Sequence, residues 1–248
     1  AEGSVAPVIA ARERLDIGAR TVDNRDHALV FSAGDMAIGG ALDADHRATG
    51  SADAVNNASA TIESLGAMQL AARTVRNTNE HFSITLVEQP GQQIVEYQGE
   101  GSPNRYLAGT PGVEVFNDES DHLRTPDAPP NGHESWIGYY YTRTRSGSQL
   151  VASDPAQILS GGAMRLDADS VLNDKSRIVA GGLLHGTVGK LDNIDGEGVR
   201  ITTDTGVATS YWRHHRSGRD STGTMEAPYA PPPMFETITL LPTVYRQG

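Results

Sequence analysis

The chain contains no cysteine, which excludes a disulfide framework and any structural zinc site built on thiolates. It has no apolar run near the roughly 18 residues of a membrane helix, so no membrane insertion is expected. Aromatic residues make up only 6%, too few for a large aromatic-rich core throughout. Positive charge is also short: 20 Lys and Arg stand against 31 Asp and Glu, for a net charge of −11. A nucleic-acid partner needs a basic face for its phosphates, so that class is disfavoured, as is adsorption to anionic lipid. What is plentiful is glycine, 27 residues, alongside 38% hydrophobic and 21% charged residues. That balance belongs to a folded chain of many short strands and tight turns. The sequence opens at Ala1 with no signal peptide and reads as a segment of a longer polypeptide.

An internal repeat organises the chain. Residues 15–24 (LDIGARTVDN), 68–77 (MQLAARTVRN) and 164–173 (MRLDADSVLN) align. Each has an apolar residue first and another at the third position, Ala at the fifth, Val at the eighth and Asn at the tenth. Small-residue turns, Leu65-Gly66-Ala67 and Gly161-Gly162-Ala163, precede the second and third copies. Two partial copies, read as starting at Met36 and Leu183, keep the turn and lose the later positions. Starts are 21, 32 and 19 residues apart (Leu15 to Met36, Met36 to Met68, Met164 to Leu183); the 32 fits if one repeat carries an extra loop. Alternation at i, i+2, i+4 places side chains on one strand face. Small turn residues let the chain bend sharply. Repetition then predicts parallel strands stacked in register, each covering the apolar face of the next. Asn24, Asn77 and Asn173, with Asn56 or Asn57 and Asn193 as looser matches, either stack as an amide ladder or simply occupy turns. No stretch sustains helical spacing; residues 59–65 are too few for a helix.

Proline removes a ladder donor and is excluded from interior strands. None of the 13 prolines falls between Val8 and Val87 or between Ala156 and Ala227. Phe31 and Phe82 are the aromatics in the repeats; the others fall between Tyr97 and Tyr141 or between Tyr211 and Tyr245. The predicted organisation is therefore repeats over 1–87, an insertion over 88–157, repeats over 158–201 and a tail over 202–248. Turn signals at Pro90-Gly91, Pro111-Gly112 and Pro129-Pro130-Asn131-Gly132 predict a hairpin or small sheet for the insertion. The tail, with runs 201–213 and 235–245, reads as a further hairpin.

Residues 59–83 (SATIESLGAMQLAARTVRNTNEHFS) and 158–182 (ILSGGAMRLDADSVLNDKSRIVAGG) resemble the haemagglutinin repeats of filamentous haemagglutinin-type exoproteins. Residues 209–220 (TSYWRHHRSGRD) and 227–246 (APYAPPPMFETITLLPTVYR) resemble a recurring stretch of the same proteins. The likeness is greatest to the toxin-delivery filaments of contact-dependent growth inhibition. The resemblance implies two-partner secretion: export through a dedicated outer-membrane β-barrel transporter, and folding outside a Gram-negative cell as an adhesive filament. It implies an all-β fold, a right-handed parallel β-helix (a solenoid) with extra-helical β-hairpin insertions, and a receptor on a target cell as partner. The secretion domain and the toxin are expected outside this sequence.

Parallel β-helices include polysaccharide lyases, which need an acidic calcium site beside a base. Asp43 and Asp45, Asp167 and Asp169, and Asp192 with Asp195 and Glu197 are the carboxylate groups available. Only Arg165 stands at a matching position, beside Asp167 and Asp169, so solvated outward charge is the simpler reading. The expectation is no enzyme, no cofactor and no metal, with a carbohydrate-active enzyme or a host-directed adhesin as alternatives. His214 and His215 are adjacent, and adjacent residues on a strand face opposite ways. For partner recognition the insertion offers Trp136, Tyr139, Tyr140 and Tyr141 as anchors with Arg143 and Arg145 at the rim. The competing reading is that these side chains pack to hold the insertion together.

Overall fold

The structure is a computed structural model that describes residues 5–118 and 120–240. It is all-β, with no helix among the described residues. By contacts the chain separates into two compact units. The first comprises Ala1–Thr85, Gln149–Glu197 and Thr239–Gly248; the second comprises Leu86–Ser148 and Gly198–Ile238.

The first unit is built from two parallel sheets through which the chain passes repeatedly. One sheet is five-stranded, in the order Val8–Ala11, Leu29–Ser32, Thr61–Ser64, Gln157–Ser160 and Arg177–Ala180. The other runs Arg14–Gly18, Asp35–Gly39, Met68–Thr78, Met164–Asp174 and Leu184–His185. Beside these, Thr21–Arg25 and Ala52–Ala58 lead to the far half of Met68–Thr78, and Val188–Ile194 follows Met164–Asp174. Neighbours in each sheet are successive passes, in register: Leu15 meets Met36, Met36 meets Met68, and Met68 meets Met164. Leu70 lies parallel to Leu166, and Val75 to Val171. Equivalent apolar side chains therefore pile into one core of Val30, Met36, Ile38, Val55, Ile62, Leu70, Val75, Ile158, Met164 and Val171, all buried. Burying each such side chain stabilises the fold by roughly 1.5–3 kcal/mol.

Within a pass the simple alternation breaks once. In Met68–Thr78, residues 68, 70 and 72 point inward, and so do 75 and 77. Pairing to the next pass skips Arg73 and resumes at Thr74. The strand turns a corner there, which exchanges its inward and outward faces. This explains why the repeat places Ala at its fifth position and Val at its eighth.

Two partial copies prove complete. The one at Met36 is interrupted by a small hairpin, Ala41–Leu42 with Ala48–Thr49. Its later positions return after the hairpin, with Ala52 opposite Ala72, Val55 opposite Val75 and Asn57 opposite Asn77. That hairpin is the extra loop behind the long spacing. The copy read from Leu183 starts one residue later: Met164 pairs with Leu184, and Val171, Asn173 and Ala168 meet Leu191, Asn193 and Val188. Gly181 and Gly182 set this register by stacking over Gly161 and Gly162. A Cβ on Gly181 would sit 2.3 Å from the Gly161 carbonyl oxygen, and one on Gly161 would sit 2.3 Å from that of Leu65. Backbone contact this close leaves no room for a side chain at the turn.

Two polar rows run through the interior. Asn24 donates to Asn57, Asn57 to Asn77 and Asn77 to Asn173, each at 2.8 Å, and Asn173 donates to Asn193 at 2.7 Å. The sequence separations are 33, 20, 96 and 20. The asparagines form an amide ladder, and each inner member also donates to turn carbonyls, as Asn77 does to Arg177 at 2.9 Å. The second row was not anticipated. Ser32, Ser64 and Ser160 stack in register and are buried; Ser32 donates to the Asp35 carbonyl, Ser64 to that of Gly66, and Ser160 to those of Gly66 and Gly162. Its signal was available as Ser-x-Gly at 32–34, 64–66 and 160–162. Asn79, also buried, fixes the point where the chain leaves the stack and returns, donating to Ser153 and accepting from the Asp154 amide.

The second unit centres on one seven-stranded sheet. Its main order is Tyr106–Leu107, Gln92–Gly99, Trp136–Ala152, Glu197–His214 and Ser221–Tyr229, with Ser83–Glu88 and Met234–Thr239 adding to the third and fourth. The registers among these five are antiparallel. A two-stranded hairpin, Glu114–Asp118 with Ser120–Arg124, belongs to the same unit. The insertion and the tail, read from the sequence as separate hairpins, share this sheet: Trp136 through Gly147 pairs residue by residue with Tyr211 back to Arg200. The tail run 235–245 is strand to Thr239; its part beyond residue 240 lies outside the described residues.

Candidate functional site

The strand Trp136–Ala152 carries all six residues picked out for recognition, and period-two alternation divides them. Trp136 and Tyr140 share one face; Tyr139, Tyr141, Arg143 and Arg145 share the other. They do not make a single patch.

On the first face Trp136 is buried. Its ring stacks on Tyr211, directly opposite across the strand pair, with centroids 3.9 Å apart and planes 11° off parallel. Tyr97 meets it edge-on at 5.6 Å, and its indole N–H donates to the Asp121 carbonyl at 3.0 Å. Tyr140 lies over Gly138, whose missing Cβ would sit 2.7 Å from the ring. Its hydroxyl is 3.4 Å from that of Tyr211. Desolvation first, and then the Tyr211 hydroxyl, push its pKa well above the ordinary tyrosine value. Tyr140 is the one anchor of the four with substantial exposure, at 37%.

On the second face Tyr139 and Tyr141 are buried. Both rings lie 5.1 Å from Tyr229. The Arg105 guanidinium covers Tyr139 at 3.7 Å and donates to the Tyr229 hydroxyl at 2.9 Å, while Tyr139 donates to Gln98 at 2.8 Å. Burial and the nearby Glu96 carboxylate push Tyr141 up to about 12. Arg143 grips Asp204 through two bonds of 2.8 Å, a bidentate geometry that holds the guanidinium charge firmly and raises its pKa further. Arg145 is exposed. Thus Trp136, Tyr139, Tyr141 and Arg143 spend their contacts inside the unit, and Tyr140 and Arg145 present theirs outward on opposite faces.

The candidate carboxylates are dispersed, and several hold partners of their own. Asp43 caps the small hairpin by accepting from the Asp45 and Arg47 amides. Asp167 accepts from the Thr187 amide and holds Arg165 at 2.6 Å, and these hydrogen bonds, in that order, lower its pKa. Asp192 holds Lys190 at 2.7 Å. A shallow depression on the first unit, over Ala37, Ala67 and Ala163, has one carboxylate, Asp35, among its lining residues, with Arg14, Arg165 and His185 at its rim. Among the described residues no three His, Cys, Asp or Glu side chains are grouped to hold a metal ion.

His214 ends its strand and His215 opens the loop that follows, and the two meet different partners. His214 tilts against Trp212 at 4.9 Å. His215 lies between Glu134 and Asp220.

In an alignment of 194 residues that covers 63% of the chain, it is 29% identical to the tRNA nuclease CdiA-2 of Burkholderia pseudomallei (strain 1026b). The match spans 6% of that much longer protein. No family model matches the chain, and no solved structure does. At this level the likeness supports a distant relation to the contact-dependent growth inhibition group that the repeats resemble.

Proposed function

We propose that this chain is a structural segment of a secreted bacterial surface filament, wound as a right-handed parallel β-helix, which serves cell contact and the delivery of a toxin carried elsewhere in the parent protein. The observation that carries this reading is the five-pass parallel stack with its unbroken asparagine ladder. Such a stack can be extended pass by pass, because each pass contacts only its neighbours. The distant likeness to a far longer CdiA protein supports the same assignment. On this reading the chain is not an enzyme and takes no cofactor. The parent reaches a Gram-negative cell surface through an outer-membrane two-partner secretion transporter, which recognises parts outside this sequence. No helix among the described residues is long and apolar enough to cross a membrane.

The second unit is the element offered to a receptor on a neighbouring cell. It is an antiparallel sheet formed by two long excursions of the chain between strands of the stack, and recognition concentrates on such excursions. Tyr140 and Arg145 are the two of the six candidate residues exposed enough to contact it.

The test replaces both excursions, 86–148 and 198–238, by short turns in the parent exoprotein. Removing one alone would strip strands from a shared sheet. Surface display with loss of target-cell contact supports the assignment. Display with undiminished contact would reduce the second unit to cladding and overturn its recognition role.

A further inference from the structure

The strand Glu197–His214 and the strand Ser221–Tyr229 are joined by a loop, residues 215–220, whose first and last members face each other. The His215 Nδ1 lies 3.0 Å from an Asp220 carboxylate oxygen, and its Nε2 lies 2.7 Å from Glu134. A neutral imidazole has one N–H and one lone pair, so it can satisfy only one of two carboxylates. The imidazolium alone donates to both. We propose that His215 is a pH-operated pin: protonated, it ties Glu134 and Asp220 together at the ends of the 215–220 loop, and on losing its proton it can hold only one of them, which loosens the loop.

The surroundings fit this role. Arg213, on the strand entering the loop, holds the same Asp220 oxygen from the other side at 2.8 Å. Asp220 therefore stays ionised, its pKa lowered chiefly by Arg213, and the far end of the loop remains anchored when His215 discharges. Arg213 also donates its backbone amide to Ser135 and a guanidinium N–H to Ser120. From the hairpin 114–124, His122 brings its Nε2 within 3.8 Å of the other Glu134 oxygen. His122 is buried against Phe116, with no hydrogen-bond partner for its Nδ1. Glu134 thus stands between two imidazoles, one exposed and one buried. Arg216 and Arg219 on the loop point to solvent. His214 faces Trp212 instead.

The sign follows from the direction of the shift. The His215 pKa is raised above 6.5, led by its hydrogen bond to Glu134. The pin is complete below that value and is lost as pH rises through the raised one. This inference is independent of the filament assignment.

The experiment is an imidazole titration of the whole chain by NMR, with amide exchange of residues 216–219 measured from about pH 6 to pH 9 and corrected for the intrinsic rate. The pin requires His215 to titrate above 6.5, and loop protection to fall about threefold across its midpoint, the scale of an exposed ion pair. Glu134→Gln should lower the midpoint, and His215→Gln should remove the pH dependence of the loop. A midpoint at or below the ordinary histidine value overturns the proposal. So does a midpoint indifferent to Glu134→Gln, or loop protection that does not change with pH.

Discussion

The two units solve the same problem, how to bury a sheet, with opposite materials. The first is parallel and draws its order from repetition: Met over Met, Val over Val, Asn over Asn. Among the described residues its aromatics are Phe31 and Phe82 and its prolines are Pro7 and Pro155. The second is antiparallel and draws its order from unique contacts. It holds both tryptophans, with rings that interlock across strands rather than along a stack. Proline is admitted there in turns and in the strand Ser221–Tyr229, which closes the main strand order and contains Pro228, where a missing donor costs little. Repetition makes each residue's value depend on its equivalents one pass away. Uniqueness makes it depend on a few named partners.

Substituting the ladder tests that contrast most severely. Asn77→Leu would take the Asn77 donor from the Asn173 oxygen and from the Ala156 and Arg177 carbonyls. Three acceptors left short should cost about 3–5 kcal/mol. Because both tryptophans lie in the second unit, indole fluorescence should keep its transition while the far-ultraviolet signal loses amplitude at lower denaturant. Coincident loss of both signals would show that the units do not unfold separately.

Trp136→Ala is the mirror experiment. Removing a buried ring from between Tyr97 and Tyr211 should cost about 3–5 kcal/mol, seen in the remaining Trp212 emission, with the parallel stack unaffected. A smaller effect is expected at the glycine turns. Gly161→Ala drives a Cβ into the Leu65 carbonyl and should cost about 1–3 kcal/mol, whereas the same change at Gly147, which faces open space, should cost under about 0.5 kcal/mol. Equal effects would contradict the close stacking of turns.

The smallest effect concerns acid. Asp127 gathers Ser102, Thr125 and Asn104, in that order of influence, and they hold its carboxyl well below the usual range. A lowered folded pKa gives stability that is whole above the ordinary value near 3.8 and is lost as pH falls through the lowered one. Proteolysis near residues 102–104 and 125–127 should stay slow at about pH 4 in the native chain and quicken in Asp127→Asn.

The parallel stack was legible because its physics is written in repeats: the period, the glycine turns and the asparagines all recur in one dimension. Even there, Leu183 was misplaced by one residue. Two adjacent leucines offer the same hydrophobicity, and the glycine backbone contacts decide between them. The copy at Met36 looked truncated because a hairpin separates its halves. The second unit was legible as strands and turns, but its sheet was not. Pairing Trp136 with Tyr211 joins residues far apart in sequence through a register that no repeat encodes. For the same reason the six recognition residues could be named together, although alternation and burial leave Tyr140 and Arg145 outward on opposite faces.

The central claim is that equivalent positions of successive passes lie side by side, in parallel and in register. Because the chain is free of cysteine, one crosslink can test it. Gln69 and Arg165 are exposed and directly paired, and neighbouring strands about 4.8 Å apart fall within disulfide reach. Gln69→Cys with Arg165→Cys should oxidise rapidly to an intramolecular disulfide, while Gln69→Cys with Asp167→Cys, two residues out of step, should lag far behind. Equal rates, or faster closure of the offset pair, would contradict the stack.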